Sequence, residues 1–291
     1  MTFFISPAAV LNAFADRSGC TATRDIAYAE GARHGLDVYS PKPNGKPAAV
    51  VVFFYGGSWE EGDKAYYPFL GASLAAQGLV VVVPDYRVYP AVRFPAFLED
   101  AALAVRWARD HAESFGGDPS RLILMGHSAG AHIAAMLTFD RQWLGNVALD
   151  PRRDVKGMIG LAGPYDFLPL TRSTLKAIFG PPENLAATQP INFVDGLAPP
   201  VFLATGIGDS TVKPGNSLRL AERIRAKQGS AEVATYRNVG HLTLIGAFAP
   251  PLRLLAPVRR DTLRFIDAVA GIKAAGVADR VIGERDGERT A

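Results

Sequence analysis

Apolar residues are concentrated in short, unbroken runs along this chain. The runs at 48–55, 79–84 and 121–126 are rich in valine, isoleucine, leucine and phenylalanine. Runs of this length are typical of strands that are buried on both faces, as in a parallel sheet covered by helices. Weaker patterns predict further strands at 25–28, 36–39, 157–162, 200–205 and 231–237.

Between the strands lie segments in which apolar residues recur every three or four positions. The clearest is 95–115, where Phe97, Ala101, Ala104, Ala108 and Ala112 share this spacing. That period indicates a helix with one buried face. The predicted helices occupy 68–77, 95–115, 129–139, 216–227 and 257–270. Alternating strands and helices predict an α/β fold with a mainly parallel central sheet flanked by helices.

Residues 163–197 interrupt the alternation with several prolines and aromatic residues and no clear helical period. We expect a small cap insertion here, over the carboxyl edge of the sheet, where open α/β folds bind ligands. Residues 1–277 are expected to form one domain. The charged segment 278–291 has no periodicity and is expected to be a flexible tail.

Composition narrows the classes of function. The net charge is only +3 and the basic residues are scattered, so nucleic acid is not an expected partner. Cys20 is the only cysteine, and no histidine or carboxylate spacing indicates a metal site, so we predict no disulfide within the chain, no metal and no cofactor. No lysine or arginine precedes Arg17, and no apolar run is long enough to span a membrane. A cytoplasmic location is therefore expected, and a homodimer is left open.

One motif points to nucleophilic chemistry: Gly126-His127-Ser128-Ala129-Gly130 lies between a predicted buried strand and a predicted helix. In that context G-x-S-x-G marks a sharp turn that exposes a serine nucleophile. The alternative, a serine that only caps the helix, leaves the two glycines without a reason. Ser128 is therefore the predicted nucleophile.

A second glycine-containing turn, Tyr55-Gly56-Gly57-Ser58-Trp59, follows the first buried run. With the serine motif, it resembles α/β-hydrolase esterases that carry His-Gly-Gly-x-Trp or His-Gly-Gly-Gly, a group that includes hormone-sensitive-lipase-like carboxylesterases and kynurenine formamidases. The segments 85–90 and 94–96 add to this resemblance, which covers roughly residues 25 to 270.

By position, the resemblance implies an α/β-hydrolase fold in which the N–H groups of Gly57, Ser58 and Ala129 form the oxyanion hole. Tyr55 stands where these enzymes usually have histidine. We expect Tyr55 to brace the loop and to take no part in the chemistry. An ordinary glycine turn is the alternative for this loop.

A serine nucleophile needs a base, and His241 directly follows the last predicted strand. The other histidines, His34, His111, His127 and His132, are expected to pack or to give polar support. The acid should follow the preceding strand, which favours Asp209. Asp195 comes before that strand, and Asp166 would fit only if the acid had moved. Asp85 and Arg87 are expected to form an ion pair.

The predicted function is that of a serine carboxylesterase, which hydrolyses short to medium acyl or aryl esters through an acyl-enzyme. Trp59, Tyr165 and Phe167 are the predicted walls of an apolar substrate pocket, with plain core packing as the alternative. Three other functions stay open: an arylformamidase or amidase that uses the same triad, a peptidase, and a ligand-binding homologue without catalysis. The peptidase is disfavoured, because a chain of 291 residues has no room for an added propeller domain.

Overall fold

The computed structural model describes residues 7–15 and 17–271. Its centre is an eight-stranded sheet with the order β1-β2-β4-β3-β5-β6-β7-β8. The strands are β1 (Cys20–Ala27), β2 (Gly35–Pro41), β3 (Ala48–Phe54), β4 (Val80–Pro84), β5 (Gly117–His127), β6 (Val155–Leu161), β7 (Val201–Gly206) and β8 (Ala231–Tyr236).

Helices flank this sheet. They are α1 (Pro7–Ala13), α2 (Pro68–Ala75), α3 (Ala96–His111), α4 (Ala129–Phe139), α5 (Arg141–Gly145), α6 (Pro151–Asp154), α7 (Ser173–Phe179), α8 (Gly215–Ala226), α9 (His241–Gly246) and α10 (Val258–Val269). Short 3-10 turns cover Lys64–Tyr66, Glu113–Phe115, Pro182–Thr188, Pro190–Phe193 and Pro250–Leu252.

The sheet is mainly parallel, as predicted. Strands β3 to β8 all run in one direction, and β2 is antiparallel to both of its neighbours, β1 and β4. Every residue of β3 is buried, because α2, α3, α4 and α10 are among the helices that pack on the sheet. An unbroken apolar sequence is the one that such a position requires.

Strand β1 and two short helices differ from the prediction. Strand β1 begins at Cys20, five residues earlier than the predicted strand, and most of its residues are exposed. An edge strand with two solvated faces carries threonine and arginine in place of an apolar run, so the apolar pattern does not extend over it. Helices α1 and α9 were not predicted either, since both are too short to show a period.

Residues 163–197 contain α7 and two of the 3-10 turns. Phe179 of α7 is buried against Trp59, with ring centroids 4.7 Å apart, and Phe167 lies 5.9 Å from the same indole. This segment therefore packs directly against the glycine loop after β3, which comprises residues 55–62. The assignment of 163–197 as a cap stays a prediction. The predicted tail at 278–291 lies outside the described residues.

Within the described ranges, none of the helices combines the length and the apolar character that a membrane crossing needs.

Candidate active site

Ser128 lies at the turn between β5 and α4, with φ 55° and ψ −122°. A positive φ is unfavourable for serine, so neighbouring bonds must hold this conformation. The Ser128 N–H donates to the carbonyl of Leu161 on β6 at 2.9 Å, and the Ser128 carbonyl accepts from Ala131 and His132 on the first turn of α4. The turn therefore lifts the serine hydroxyl above the carboxyl end of β5.

The flanking glycines are required by close backbone contacts. A Cβ at Gly126 would lie 2.2 Å from the carbonyl oxygen of Gly130, and a Cβ at Gly130 would lie 2.0 Å from that of Phe54. Both distances are far below van der Waals contact. The G-x-S-x-G pattern thus has a steric cause in this chain, which helix capping would not supply.

The structure brings Ser128, His241 and Asp209 together in one line. The Nε2 atom of His241 lies 2.8 Å from the Ser128 hydroxyl, and its Nδ1 atom lies 2.8 Å from Oδ2 of Asp209. His241 begins α9, just after β8, and Asp209 follows β7. Since β5, β7 and β8 are parallel, their carboxyl ends meet at the same sheet edge.

Asp209 is buried and strongly hydrogen-bonded. Its Oδ1 accepts from the N–H groups of Thr211 and Val212, both at 2.9 Å. Burial alone would raise the pKa of Asp209, but the bonds from His241, Val212 and Thr211 outweigh it and hold the pKa below its ordinary value. An ionised carboxylate can only accept, so Nδ1 of His241 carries the proton and the lone pair of Nε2 faces Ser128.

The rival acids are engaged elsewhere. Asp195 bonds Arg152, and Asp166 accepts from Nε of Arg219 at 2.5 Å. Asp209 is thus the carboxylate beside the candidate base.

Neither rival histidine outside the serine segment reaches the Ser128 hydroxyl. His34 bonds Asp100 at 3.1 Å, and His111 stacks on Trp107 with centroids 4.3 Å apart.

The two histidines of the serine segment give polar support, as expected. Nε2 of His127 lies 3.2 Å from the carbonyl oxygen of His241, so it must be the protonated nitrogen. Burial lowers the pKa of His127 to about 3, and burial lowers that of His132 to about 4. His132 reaches the carbonyl of Thr188 at 2.9 Å. Both rings are neutral near pH 7.

The glycine loop after β3 is closed on itself and touches the candidate nucleophile. A Cβ at Gly56 would lie 2.9 Å from Cβ of Ser128, and the Gly57 carbonyl accepts from Glu60 and Glu61 at 2.9 and 3.0 Å. In a trans peptide the N–H points opposite to the C=O, so the Ser58 N–H points out of the loop. Among the described residues, no group accepts from the N–H of Gly57, Ser58 or Ala129.

Tyr55 is buried at the start of this loop. Its hydroxyl donates to Oδ1 of Asp85 at 2.6 Å and accepts from Nη2 of Arg33 at 2.9 Å. Its ring stacks between Tyr67 and Tyr86. The phenol thus occupies a bracing position and lies outside the Ser128, His241 and Asp209 line.

The expected Asp85–Arg87 ion pair is wrong. Arg87 instead forms an ion pair with buried Asp100, with Nη2 at 2.6 Å from Oδ1, and Asp85 accepts from Tyr55 and from the Lys64 N–H at 2.9 Å. Only Tyr86 separates the two residues, yet their side chains bond different partners. Burial raises the pKa of Asp85.

Two of the three predicted pocket walls lie in the core. Tyr165 is fully buried, in space left by Gly160 and Gly163, where a Cβ would meet its ring. Trp59 is also buried, edge-on to His132 at 5.1 Å, and only Phe167 is partly exposed. The core-packing alternative therefore describes Trp59 and Tyr165 better than the pocket prediction does.

No described set of three or more His, Cys, Asp or Glu side chains is arranged to hold a metal ion. The prediction that the chain needs no metal or cofactor stays a prediction.

The family model BD-FAE matches residues 36–224, about two thirds of the chain. This chain belongs to the BD-FAE family. The matched range includes Ser128 and Asp209 and ends before His241.

Two named relatives are esterases. Isoprenylcysteine alpha-carbonyl methylesterase ICME of Arabidopsis thaliana is 30% identical over 250 residues, which cover 79% of this chain and 58% of the relative. Esterase LipC of Mycobacterium tuberculosis is 32% identical over 245 residues, which cover 77% of this chain and 58% of the relative. The chain therefore spans just over half the length of these curated relatives.

Solved structures confirm the α/β-hydrolase fold. A truncated carbohydrate esterase from gut microbiota superimposes with a TM-score of 0.77 at 22% identity, covering 88% of this chain and 99% of its own. Esterase B from Lactobacillus rhamnosis also has a TM-score of 0.77, at 19% identity, covering 91% of this chain and 90% of its own.

Proposed function

We propose that this chain is a serine carboxylesterase in which Ser128 is the nucleophile, His241 the base and Asp209 the acid. The observation that carries the proposal is the continuous line of two 2.8 Å contacts from Ser128 through His241 to Asp209. The esterase names of the relatives support the same reaction class.

In the proposed acylation step, Nε2 of His241 takes the proton of the Ser128 hydroxyl while Oγ attacks the ester carbonyl. The carbonyl oxygen becomes an oxyanion that accepts hydrogen bonds from the N–H groups of Gly57, Ser58 and Ala129. The glycine loop that carries Gly57 and Ser58 lies directly against Ser128. Ala129 is the first residue of α4, whose N-terminal dipole also favours negative charge. The alcohol then leaves with the proton from His241.

In deacylation, His241 removes a proton from water, which attacks the acyl carbonyl and regenerates Ser128. Asp209 holds Nδ1–H throughout and stabilises the positive charge that His241 carries in each transition state. The two N–H groups bonded to Asp209 keep it ionised for this role.

A short or medium acyl group, or an aryl ester, fits this site best. Ser128 is 9% exposed and the side chain of His241 12% exposed, so only a small part of the surface of these residues is open to a substrate. Trp59 and Phe179 fill the interior beside the glycine loop. Ile207 and Leu242, close in sequence to Asp209 and His241, are exposed apolar residues.

A chain-length series of p-nitrophenyl esters tests the proposal. We expect kcat/KM to peak at short to medium acyl chains and to vanish in Ser128→Ala. A rate that rises up to the longest acyl chains would contradict the substrate class, and an undiminished rate in Ser128→Ala would contradict the nucleophile. The formamidase alternative predicts faster turnover of N-formylkynurenine than of p-nitrophenyl butyrate.

A small ester is the only partner that we propose. We also propose that the protein is located in the cytoplasm. The weak net charge of +3 supports the exclusion of nucleic acid. Light scattering of the purified protein would decide whether it forms the homodimer that the sequence leaves open.

A further inference from the structure

Arg33 contacts the glycine loop at both of its ends. It lies in the turn between β1 and β2, outside the two glycine-containing motifs at 55–59 and 126–130. Its Nη2 donates to the Tyr55 hydroxyl at 2.9 Å, where the loop begins, and to the Gly62 carbonyl at 2.8 Å, where it ends. Both protons of that nitrogen are therefore used on the same loop.

A third bond ties the guanidinium to the segment that follows β4. Nε of Arg33 donates to the Tyr86 carbonyl at 2.8 Å, and the Tyr86 hydroxyl in turn donates to the Tyr55 carbonyl at 2.7 Å. The planar fork of a guanidinium can satisfy several acceptors in fixed directions, which a lysine ammonium cannot reproduce. The loop is thus fixed to the segment after β4 as well as to its own start.

The loop is tight enough for these bonds to set its shape. A Cβ at Gly62 would lie 2.5 Å from the Tyr55 ring and 2.8 Å from the Gly56 carbonyl oxygen, so the end of the loop rests directly on its start. The Gly56 and Gly57 carbonyls both face this interior. The N–H groups of Gly57 and Ser58 must then face outward, the orientation that oxyanion donors require.

The backbone of Arg33 is itself in an unfavourable region, with φ 66°. Turn positions of this kind usually take glycine, asparagine or aspartate. An arginine there costs conformational energy that its three side-chain bonds offset.

We propose that Arg33 is a positioning residue for ester hydrolysis: it clamps Tyr55 to Gly62 and so fixes the direction of the Gly57 and Ser58 N–H groups. The inference rests on the proposed function, since it assigns Arg33 a part in oxyanion stabilisation. Arg33 bonds Tyr55, Gly62 and Tyr86 and lies outside the Ser128, His241 and Asp209 line, so its effect on the rate is transmitted through the loop.

The test compares full-length Arg33→Ala, Arg33→Lys and wild-type protein, with active sites counted by a fluorophosphonate probe. Rates are then given per labelled site, so a loss of folded protein alone does not change them. We expect kcat and the rate of labelling to fall roughly 10- to 100-fold in Arg33→Ala, with KM nearly unchanged. The pH midpoint of kcat should stay that of wild type, because the base and its acid are untouched.

Chemical rescue adds a second readout. Methylguanidinium at a concentration that does not unfold the protein should restore part of kcat in Arg33→Ala and leave wild type unchanged. Arg24→Ala is the matched control, since Arg24 is an exposed arginine on the same β-hairpin, and its rate should stay within about twofold of wild type.

Arg33→Lys covers the case in which Arg33→Ala does not fold. It keeps the charge but has a single nitrogen, so an intermediate rate per site is expected. Wild-type rates per labelled site in either folded variant would overturn the clamp. A wild-type protein that the probe does not label would instead overturn the proposed function, so the two failures are distinguishable.

Discussion

Nε2 of His241 lies 2.8 Å from the hydroxyl of Ser128, although 113 residues separate them in the chain. Ser128 follows β5 and His241 follows β8, so the contact depends on two parallel strands ending at the same sheet edge. The lone pair of Nε2 faces the hydroxyl only while Asp209 holds the proton on Nδ1. The predictions below follow from this arrangement and from the loops around it.

Replacing Asp209 by asparagine should lower kcat by about 10³- to 10⁴-fold. An amide can donate to Nδ1, which would put the histidine proton on Nε2 and remove the lone pair that Ser128 needs. The measurement is kcat for p-nitrophenyl butyrate at pH 7.5. Asp195→Asn and Asp166→Asn are matched controls, because both carboxylates bond arginines away from His241. A loss in either control as large as in Asp209→Asn would contradict the assignment of the acid.

Tyr55→Phe should lower kcat about tenfold or less and leave labelling by a fluorophosphonate intact. The change removes the bond from the phenol to Asp85 and the bond from Arg33 to the phenol, while the line from Ser128 to Asp209 is untouched. Stability should also fall, since buried Asp85 loses a donor. Complete loss of acylation would contradict a bracing role and indicate direct participation of the phenol.

Gly130→Ala should destabilise the fold by roughly 3 kcal/mol or more, because its Cβ would lie 2.0 Å from the Phe54 carbonyl oxygen. Gly145→Ala is the matched control, since nothing lies within 4 Å of its Cβ position and the residue is helical. The control should be neutral or about 0.5 kcal/mol more stable. Urea unfolding measures both, and equal free energies of unfolding in the two variants would contradict the close approach.

Acid should destabilise the protein partly through His132. Its folded pKa is lowered to about 4 by burial, whereas an unfolded histidine titrates near 6.5. Between these values the unfolded chain binds a proton that the folded chain excludes, so stability falls as pH falls through this window. The slope from one such histidine is at most about 1.4 kcal/mol per pH unit.

His132→Gln should flatten this slope while its amide still donates to the Thr188 carbonyl. Urea unfolding of wild type and variant at pH 7, 6 and 5 checks this expectation. Equal slopes in the two proteins would show that His132 is protonated in the fold or exposed to solvent.

The central strands could be predicted because their sequence has one physical cause. Strands β3 and β4 are covered on both faces, and only apolar β-formers satisfy such positions. Edge strand β1 is mostly exposed and keeps the polar residues that solvent allows, so its first five residues gave no signal. The start of α9 at His241 was hidden for a different reason, since six residues cannot show a helical period.

Some residues of the candidate site could likewise be predicted from the sequence, and others could not. Ser128, Asp209 and His241 could be chosen because each follows a predictable strand, and their positions along the chain imply one shared edge. Arg33 could not, because it belongs to no motif itself and its partners lie 22 to 53 residues away in the chain. Tyr165 was misjudged as a pocket wall, since only the fold reveals that two glycines make room for its ring in the core.

The most direct test of the account is labelling with a fluorophosphonate probe, followed by mass spectrometry of the labelled peptide. Wild-type protein should take up one probe per chain on Ser128, and Ser128→Ala should take up none, because the attack on phosphorus uses the same hydroxyl, base and oxyanion donors as ester hydrolysis. No labelling of the wild type, or equal labelling of Ser128→Ala, would contradict the proposal that Ser128 is the nucleophile.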